Sequence, residues 1–245
     1  MAREQDVRLV CFAHAGAGIS AFHRWSELLG PGVRPEPQLL PGRDGRRREP
    51  RVTTREALLD DLRHLFKEQP PGPYVLYGHS LGGLIAYTLT RALYAAGLPL
   101  PALLAIGACP PPDAFGKLAR ASDASDDELQ RVLEDFDGLP AGTDASMLHR
   151  FVFPVLRDDL RLAADLRAAA VDASGPSGAA VPVPMLVVAG SEDPVGPVEL
   201  LRRWRGWTTG RFEVRTVSGG HFFVRDGELP ELLGQACRAV GRSEQ

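Results

Sequence analysis

Short runs of Val, Leu and Ile recur along the chain at Arg8–Ala13, Glu36–Leu40, Tyr74–Tyr77, Ala102–Ala108, Val183–Ala189 and Phe212–Val217. Apolar runs of this length are the pattern of strands buried on both faces of a parallel sheet. Between them the apolar positions change to a helical period, at Ala21–Leu29, Thr54–Glu68, Leu81–Ala96, Pro197–Arg205 and Glu228–Val240. Strand and helix in alternation predict an α/β fold, a mostly parallel central sheet flanked by helices.

The rhythm fails once. About seventy residues separate the run ending at Ala108 from the one starting at Val183, far more than the roughly 2 to 6 residues of an ordinary α/β loop. The interval is helical in pieces. Ser125, with Glu128 three residues on, forms a capping box ahead of Leu129, Val132, Leu133 and Phe136, and Met147–Phe153 and Leu156–Ala170 follow. Asp172–Ala180, rich in small residues, Gly and Pro, reads as the return to the sheet. Residues 113–171 are therefore expected to form a helical lid within one domain spanning 1–245. An insertion at that point overlies the carboxyl ends of the strands, where open α/β sheets bind ligands.

Composition narrows the partners. With 44% hydrophobic and 24% charged residues the chain has the make-up of an ordinary globular protein, and a net charge of -3 offers no cationic excess for nucleic acid. The one basic cluster, Arg46, Arg47 and Arg48, is short enough to be a solvated loop. Arg3, Glu4 and Asp6 precede the first apolar run, which leaves no room for the core of a signal peptide, and no stretch approaches the roughly 18 apolar residues of a membrane span. A cytoplasmic protein with no membrane partner is expected. Cys11, Cys109 and Cys237 are far apart, with no Cys-x-x-Cys pair and no histidine at ligand spacing, so a reduced compartment and no structural metal are expected. No cofactor is implied.

The chemistry concentrates at three places. Gly78-His79-Ser80-Leu81-Gly82 matches Gly-x-Ser-x-Gly, preceded by a strand run and followed by a helical one. That context is a nucleophile elbow, in which a sharp strand-to-helix turn strains the serine backbone and the flanking glycines make room, and it specifies an α/β-hydrolase fold. Ser80 is the expected nucleophile. Its hydroxyl needs a base held by a carboxylate, and the chain order of this fold is Ser, Asp, His. His221 follows the last strand in the glycine-rich loop Ser218-Gly219-Gly220-His221-Phe222-Phe223, and is the expected base. His14 and His79 lie beside the elbow in sequence, and His23, His64 and His149 fall in helical or lid segments. For the acid, Gly190-Ser191-Glu192-Asp193-Pro194 follows the fifth run, favouring Asp193, while Asp113 after the fourth run is the competitor. The oxyanion of acyl transfer needs two fixed donors: the Leu81 amide, and one from His14-Ala15-Gly16-Ala17-Gly18, where Ala15 is the expected donor. Gly16, Gly18 and Ala21 also satisfy a relaxed dinucleotide fingerprint, but Glu36, the acidic residue near the required distance, opens the second run instead of ending it.

Nearly end to end, the chain resembles the type II thioesterases that accompany polyketide synthases and nonribosomal peptide synthetases. The resemblance is carried by Phe12-Ala13-His14-Ala15-Gly16, the Phe22 and Trp25 pair, Pro41-Gly42-Arg43, the elbow extended to Gly83, Leu156-Arg157-Asp158-Asp159 and Gly219-Gly220-His221-Phe222-Phe223. Ala13 and Ala17 stand where the family often has Pro and Gly. The resemblance implies hydrolysis of acyl groups from the phosphopantetheine arm of acyl or peptidyl carrier proteins, clearing stalled chains. The short lead before the first run favours a discrete editing enzyme over a terminal release domain. Two rivals stand beside it: a small-molecule esterase or lipase on the same fold, and a hydrolase-like binding module without turnover.

Overall fold

The computed structural model describes residues 6–67, 72–114, 124–135, 144–172 and 178–243. The apolar runs form six strands, β1 (Val7–Phe12), β2 (Val33–Pro37), β3 (Tyr74–His79), β4 (Leu103–Gly107), β5 (Met185–Gly190) and β6 (Phe212–Val217). They pair in parallel in the order β2-β1-β3-β4-β5-β6. Every residue of β3 and β5 is buried, as expected of inner strands covered on both sides. Side chains alternate between two cores along each strand. Val10, Phe12 and Leu76 point to one cluster, and Leu9, Cys11, Val75 and Tyr77 to the other. The first face is covered by α2 (Leu81–Ala95), which follows α1 (Arg55–Asp61), and the second by the C-terminal helix Glu228–Ser243 through Leu229, Leu233 and Cys237.

The strand order reverses direction between β1 and β3. The chain leaves β1 toward β2 on one side and returns to build β3 on the other, so the loops after β1 and β3 diverge and open a crevice at the carboxyl edge. Ala15 lies in the first of those loops, Ser80 in the second, and Leu81 opens the helix that follows it.

Several expected boundaries move, each for a local reason. The second strand lies at Val33–Pro37 instead of Glu36–Leu40. Pro35 and Pro37 sit on an edge strand at the same parity, and the ladder donors are the even residues, as Gln38 N donating to Cys11 O (2.8 Å) shows. Their missing N–H groups therefore face away from the sheet. The helix expected at Ala21–Leu29 is a 3-10 turn, Ile19–Phe22, and a short helix, Trp25–Leu28, parted at Arg24, whose φ of 64° no helix accommodates. The one expected at Thr54–Glu68 breaks after Asp61 and resumes at His64–Lys67, with Thr54 capping its start. Pro197–Arg205 is helical at Val198–Leu201 and 3-10 from Arg202 to Trp207.

The long interval between β4 and β5 is helical where described. Helix α3 (Asp126–Asp135) starts with the reciprocal cap read from the sequence: Ser125 N donates to Glu128 Oε2 (2.7 Å) and Glu128 N to Ser125 Oγ (3.3 Å). Phe136 and most of the return to the sheet lie outside the described residues. A π-helical turn, Leu148–Val152, runs into α4 (Phe153–Val171). Leu129, Leu148, Phe153, Leu156 and Leu160 form a small core of their own, while Leu162 and Leu166 on α4 join the main core beside α2. The insertion is thus half anchored to the sheet and half self-packed. With the helix Glu228–Ser243 as α5, these elements complete the frame of the site.

Candidate active site

Ser80 sits between β3 and α2 with φ 54° and ψ -116°, a strained conformation costing about 1 to 3 kcal/mol in a non-glycine residue. The surroundings enforce it. Ser80 N donates to Gly107 O (2.8 Å), and a Cβ on Gly78 would lie 1.9 Å from Gly82 O, one on Gly82 2.1 Å from Phe12 O. Only glycine permits strand, elbow and helix to approach so closely.

The structure brings Ser80, His221 and Asp193 together across 141 and 28 residues of chain. His221 Nε2 is 3.1 Å from Ser80 Oγ, and Nδ1 is 3.1 Å from both Asp193 oxygens. A carboxylate only accepts, so Nδ1 carries the proton and Nε2 is left to accept from the serine hydroxyl. Both members of the pair are 4% exposed. The loops carrying Asp193 and His221 are stitched to each other, Glu192 N donating to Gly219 O (3.0 Å) and Gly219 N to Ser191 Oγ (3.2 Å). Val195 N donates to Asp193 Oδ1 at 2.9 Å. Asp113 takes no part in this arrangement: its Oδ2 accepts from Arg203 Nη2 at 2.5 Å.

Facing Ser80, the loop after β1 offers its backbone. Gly16 N donates to Asp159 Oδ2 (2.7 Å) and Ala17 N to His14 O (3.1 Å), whereas the Ala15 amide has no such commitment among the described residues. Within the basic cluster of the sequence, Arg46 pairs with both Glu49 and Asp61 at 2.5 Å.

Two supports escaped sequence reasoning. His79, the variable residue of the elbow motif, is fully buried, and its Nε2 donates to the His221 carbonyl (2.7 Å) while Tyr77 Oη donates to its Nδ1 (2.8 Å). This chain fixes the backbone that carries His221. Tyr77 and His79 two apart in a strand face the same side, which is the signal that could have paired them. The second support is Arg43, whose guanidinium meets the Asp159 carboxylate at 3.0 and 2.6 Å and donates to Ala17 O at 2.9 Å. Both were visible only as members of motifs, since 116 residues separate them.

Burial pulls His14 down to about 4, helped by the positive charge of Arg225, and burial with the neighbouring His221 and His14 holds His79 well below the ordinary histidine range. Both are therefore neutral when folded near neutrality. Below about pH 6.5 the unfolded chain takes up protons that the folded chain refuses, so stability falls with pH. His14 alone contributes roughly 1.4 kcal/mol per pH unit between that point and about pH 4. Urea midpoints of wild type and His14→Gln at pH 7 and pH 5 should diverge accordingly, the variant losing less on acidification; parallel losses would contradict the account.

Ser80 and His221 open on a cavity of about 310 Å³ lined mainly by apolar side chains, among them Leu81, Leu84, Leu156 and Leu160. A parallel sheet of this order with a serine elbow at its switch point is the α/β-hydrolase fold. The chain belongs to the thioesterase family, whose domain model matches residues 7–239. It is 34% identical over 234 residues to the thioesterase PikA5 of Streptomyces venezuelae, covering 90% of this chain and 76% of that one. It is 32% identical over 225 residues to a probable cadicidin biosynthesis thioesterase of Streptomyces griseus, covering 91% of this chain but only 60% of that relative's length. Among solved structures, the RedJ thioesterase from the prodiginine pathway of Streptomyces coelicolor superimposes with a TM-score of 0.80 at 33% identity, over 94% of this chain and 90% of that one.

Among the described residues no group of acidic, histidine or cysteine side chains is placed to hold a metal ion, and no helix is long and apolar enough to cross a membrane.

Proposed function

We propose that the enzyme removes acyl groups from the phosphopantetheine arm of carrier proteins in polyketide or nonribosomal peptide assembly, through an acyl-Ser80 intermediate. The observation that carries this reading is the hydrogen-bonded series Ser80, His221, Asp193, of which Ser80 and His221 line an apolar cavity, in a chain similar to thioesterases of such pathways.

Ser80 Oγ attacks the thioester carbonyl as His221 Nε2 takes its proton, and Asp193 orients the imidazole and stabilises its cation. The Leu81 and Ala15 amides receive the oxyanion. The leaving thiolate, whose parent thiol has an ordinary pKa of about 8.5, departs with less acid assistance than an alkoxide needs and takes up the proton from His221 Nε2, which restores the neutral base. Water, deprotonated by His221, then releases the acyl chain. Residues 113–171 act as the lid over this chamber, a role supported by Leu133, Leu156, Leu160 and Ala163, which the insertion contributes to the lining. Three buried free thiols, Cys11, Cys109 and Cys237, accord with a reducing, cytoplasmic setting.

The test offers purified protein a panel of acylated carrier proteins beside simple oxygen esters and follows acyl loss by intact mass. Carrier proteins should be deacylated faster. A preference for the oxygen esters would overturn the proposal.

A further inference from the structure

Four residues of α4 that line the cavity, Leu156, Leu160, Ala163 and Arg167, recur at helical spacing and so share one face. They run over about 16 Å of helix axis. Leu156 marks the catalytic end, its Cδ1 lying 4.0 Å from where a Cβ on Gly16 would be. Arg167 marks the far end, beside Pro110, Pro111 and Ala114 at the exit of β4. A stripe that is apolar for three positions ends in a guanidinium.

That guanidinium is half-buried, and its hydrogen bonds are lopsided. Nη1 is shared among three carbonyls, those of Pro111 (2.9 Å), Ala114 (3.3 Å) and Pro110 (3.5 Å), whereas Nε and Nη2 have no hydrogen-bond partner among the described residues. No carboxylate among those residues forms an ion pair with it; the nearby Asp113 pairs with Arg203 instead. Burial lowers the affinity of Arg167 for its proton, with Cys109 and Asp113 acting the other way, which marks a cation short of compensation. A cation partly removed from water and facing an apolar chamber is stabilised by any acceptor that enters with the ligand.

We propose that Arg167 is a specificity-determining residue that selects acyl chains carrying an acceptor oxygen, a ketone or a carboxylate, at the end remote from the thioester. The inference rests on the cavity being the acyl site. A purely hydrocarbon chain would fill the stripe of Leu156, Leu160 and Ala163 yet leave the Nε and Nη2 hydrogens of Arg167 unanswered. A chain with an oxygen at that depth answers them, gaining in kcat/KM roughly 3- to 10-fold for a neutral acceptor and roughly 10- to 100-fold for a carboxylate.

The experiment compares octanoyl, 7-oxooctanoyl and 7-carboxyheptanoyl thioesters of N-acetylcysteamine on wild type, Arg167→Met and Arg167→Lys. Wild type should prefer the oxygenated chains in the order given, Arg167→Met should bring the ratios to about one, and Arg167→Lys should retain the carboxylate preference. Absence of preference in wild type overturns the proposal whatever the variants do. So does a ratio that survives in Arg167→Met, or a uniform fall across all three chains, which is what a brace for the β4 exit would give. Should Arg167→Met fail to fold, Arg167→Gln, which keeps an N–H for Pro111 O, carries the same comparison. If carrier-bound chains are refused while esters are turned over, the proposed function falls, and p-nitrophenyl esters of the same three acids still decide the role of Arg167.

Discussion

Alanine in place of Ser80 is expected to lower kcat by roughly 10⁵- to 10⁶-fold, the loss seen when the nucleophile of a comparable triad is removed. The substitution deletes Oγ, the atom 3.1 Å from His221 Nε2, and leaves the positive φ, the Gly78 and Gly82 contacts and the bond from residue 80 N to Gly107 O unchanged. Stability should therefore barely move with alanine. Glycine at the same position also removes the nucleophile, but it relieves a backbone strain of about 1 to 3 kcal/mol, so Ser80→Gly should unfold at higher denaturant than either. Asp193→Ala should cost less in rate than Ser80→Ala by roughly 10- to 100-fold, because the base remains and only its orientation and charge compensation are lost. Asp113→Ala is the control, since its carboxylate pairs with Arg203 away from His221. Single-turnover deacylation followed by intact mass separates these outcomes; an acyl adduct that still forms on Ser80→Ala, or a larger loss from Asp113→Ala than from Asp193→Ala, would refute the assignment of roles.

The α/β class was legible because buried parallel strands have an unmistakable apolar signature, and five of the six runs became strands in place while the second strand formed just ahead of its run, sharing Glu36 and Pro37 with it. Boundaries were less so where neighbours decide. Pro35 and Pro37 look like strand breakers until the strand is known to be an edge with the prolines facing outward. The helix near Ala21 was broken by the backbone of Arg24, a positive φ that no residue type announces. The elbow and the glycine-rich loop of His221 could be read because their chemistry is local: glycines where backbone presses on backbone. What the sequence could not supply were partners chosen by the fold. His79 is read as an arbitrary letter of a motif, yet its ring holds the His221 carbonyl. Asp193 was favoured over Asp113 by its place after the fifth run, but which carboxylate meets the imidazole, 28 or 108 residues further along, is decided by the fold.

Asp159→Ala is expected to be the most destabilising single change near the site, by about 3 to 5 kcal/mol, the usual cost of stranding one member of a buried ion pair. Asp159 is 1% exposed and belongs to the insertion, yet it serves the loop after β1 twice: directly, by accepting from Gly16 N, and through Arg43, which donates to Ala17 O. Arg43 is 8% exposed and its Nε already lacks a partner, so the loss of Asp159 would leave a cation with no carboxylate beside it. For a chain of this size, that loss lowers Tm by roughly 6 to 20 °C. The pair itself need contribute far less than this, because its attraction mostly offsets desolvation. Arg43→Met combined with Asp159→Leu should therefore recover more than half of the stability lost by Asp159→Ala. Activity should not return with it. The double variant has no carboxylate to hold Gly16 and no guanidinium to hold Ala17, and the Ala15 amide, the proposed oxyanion donor, would then be free to move, lowering kcat more than it raises KM. Thermal unfolding and steady-state kinetics on the three variants test this division, and a double variant that regains both stability and rate would show the clamp to be packing alone.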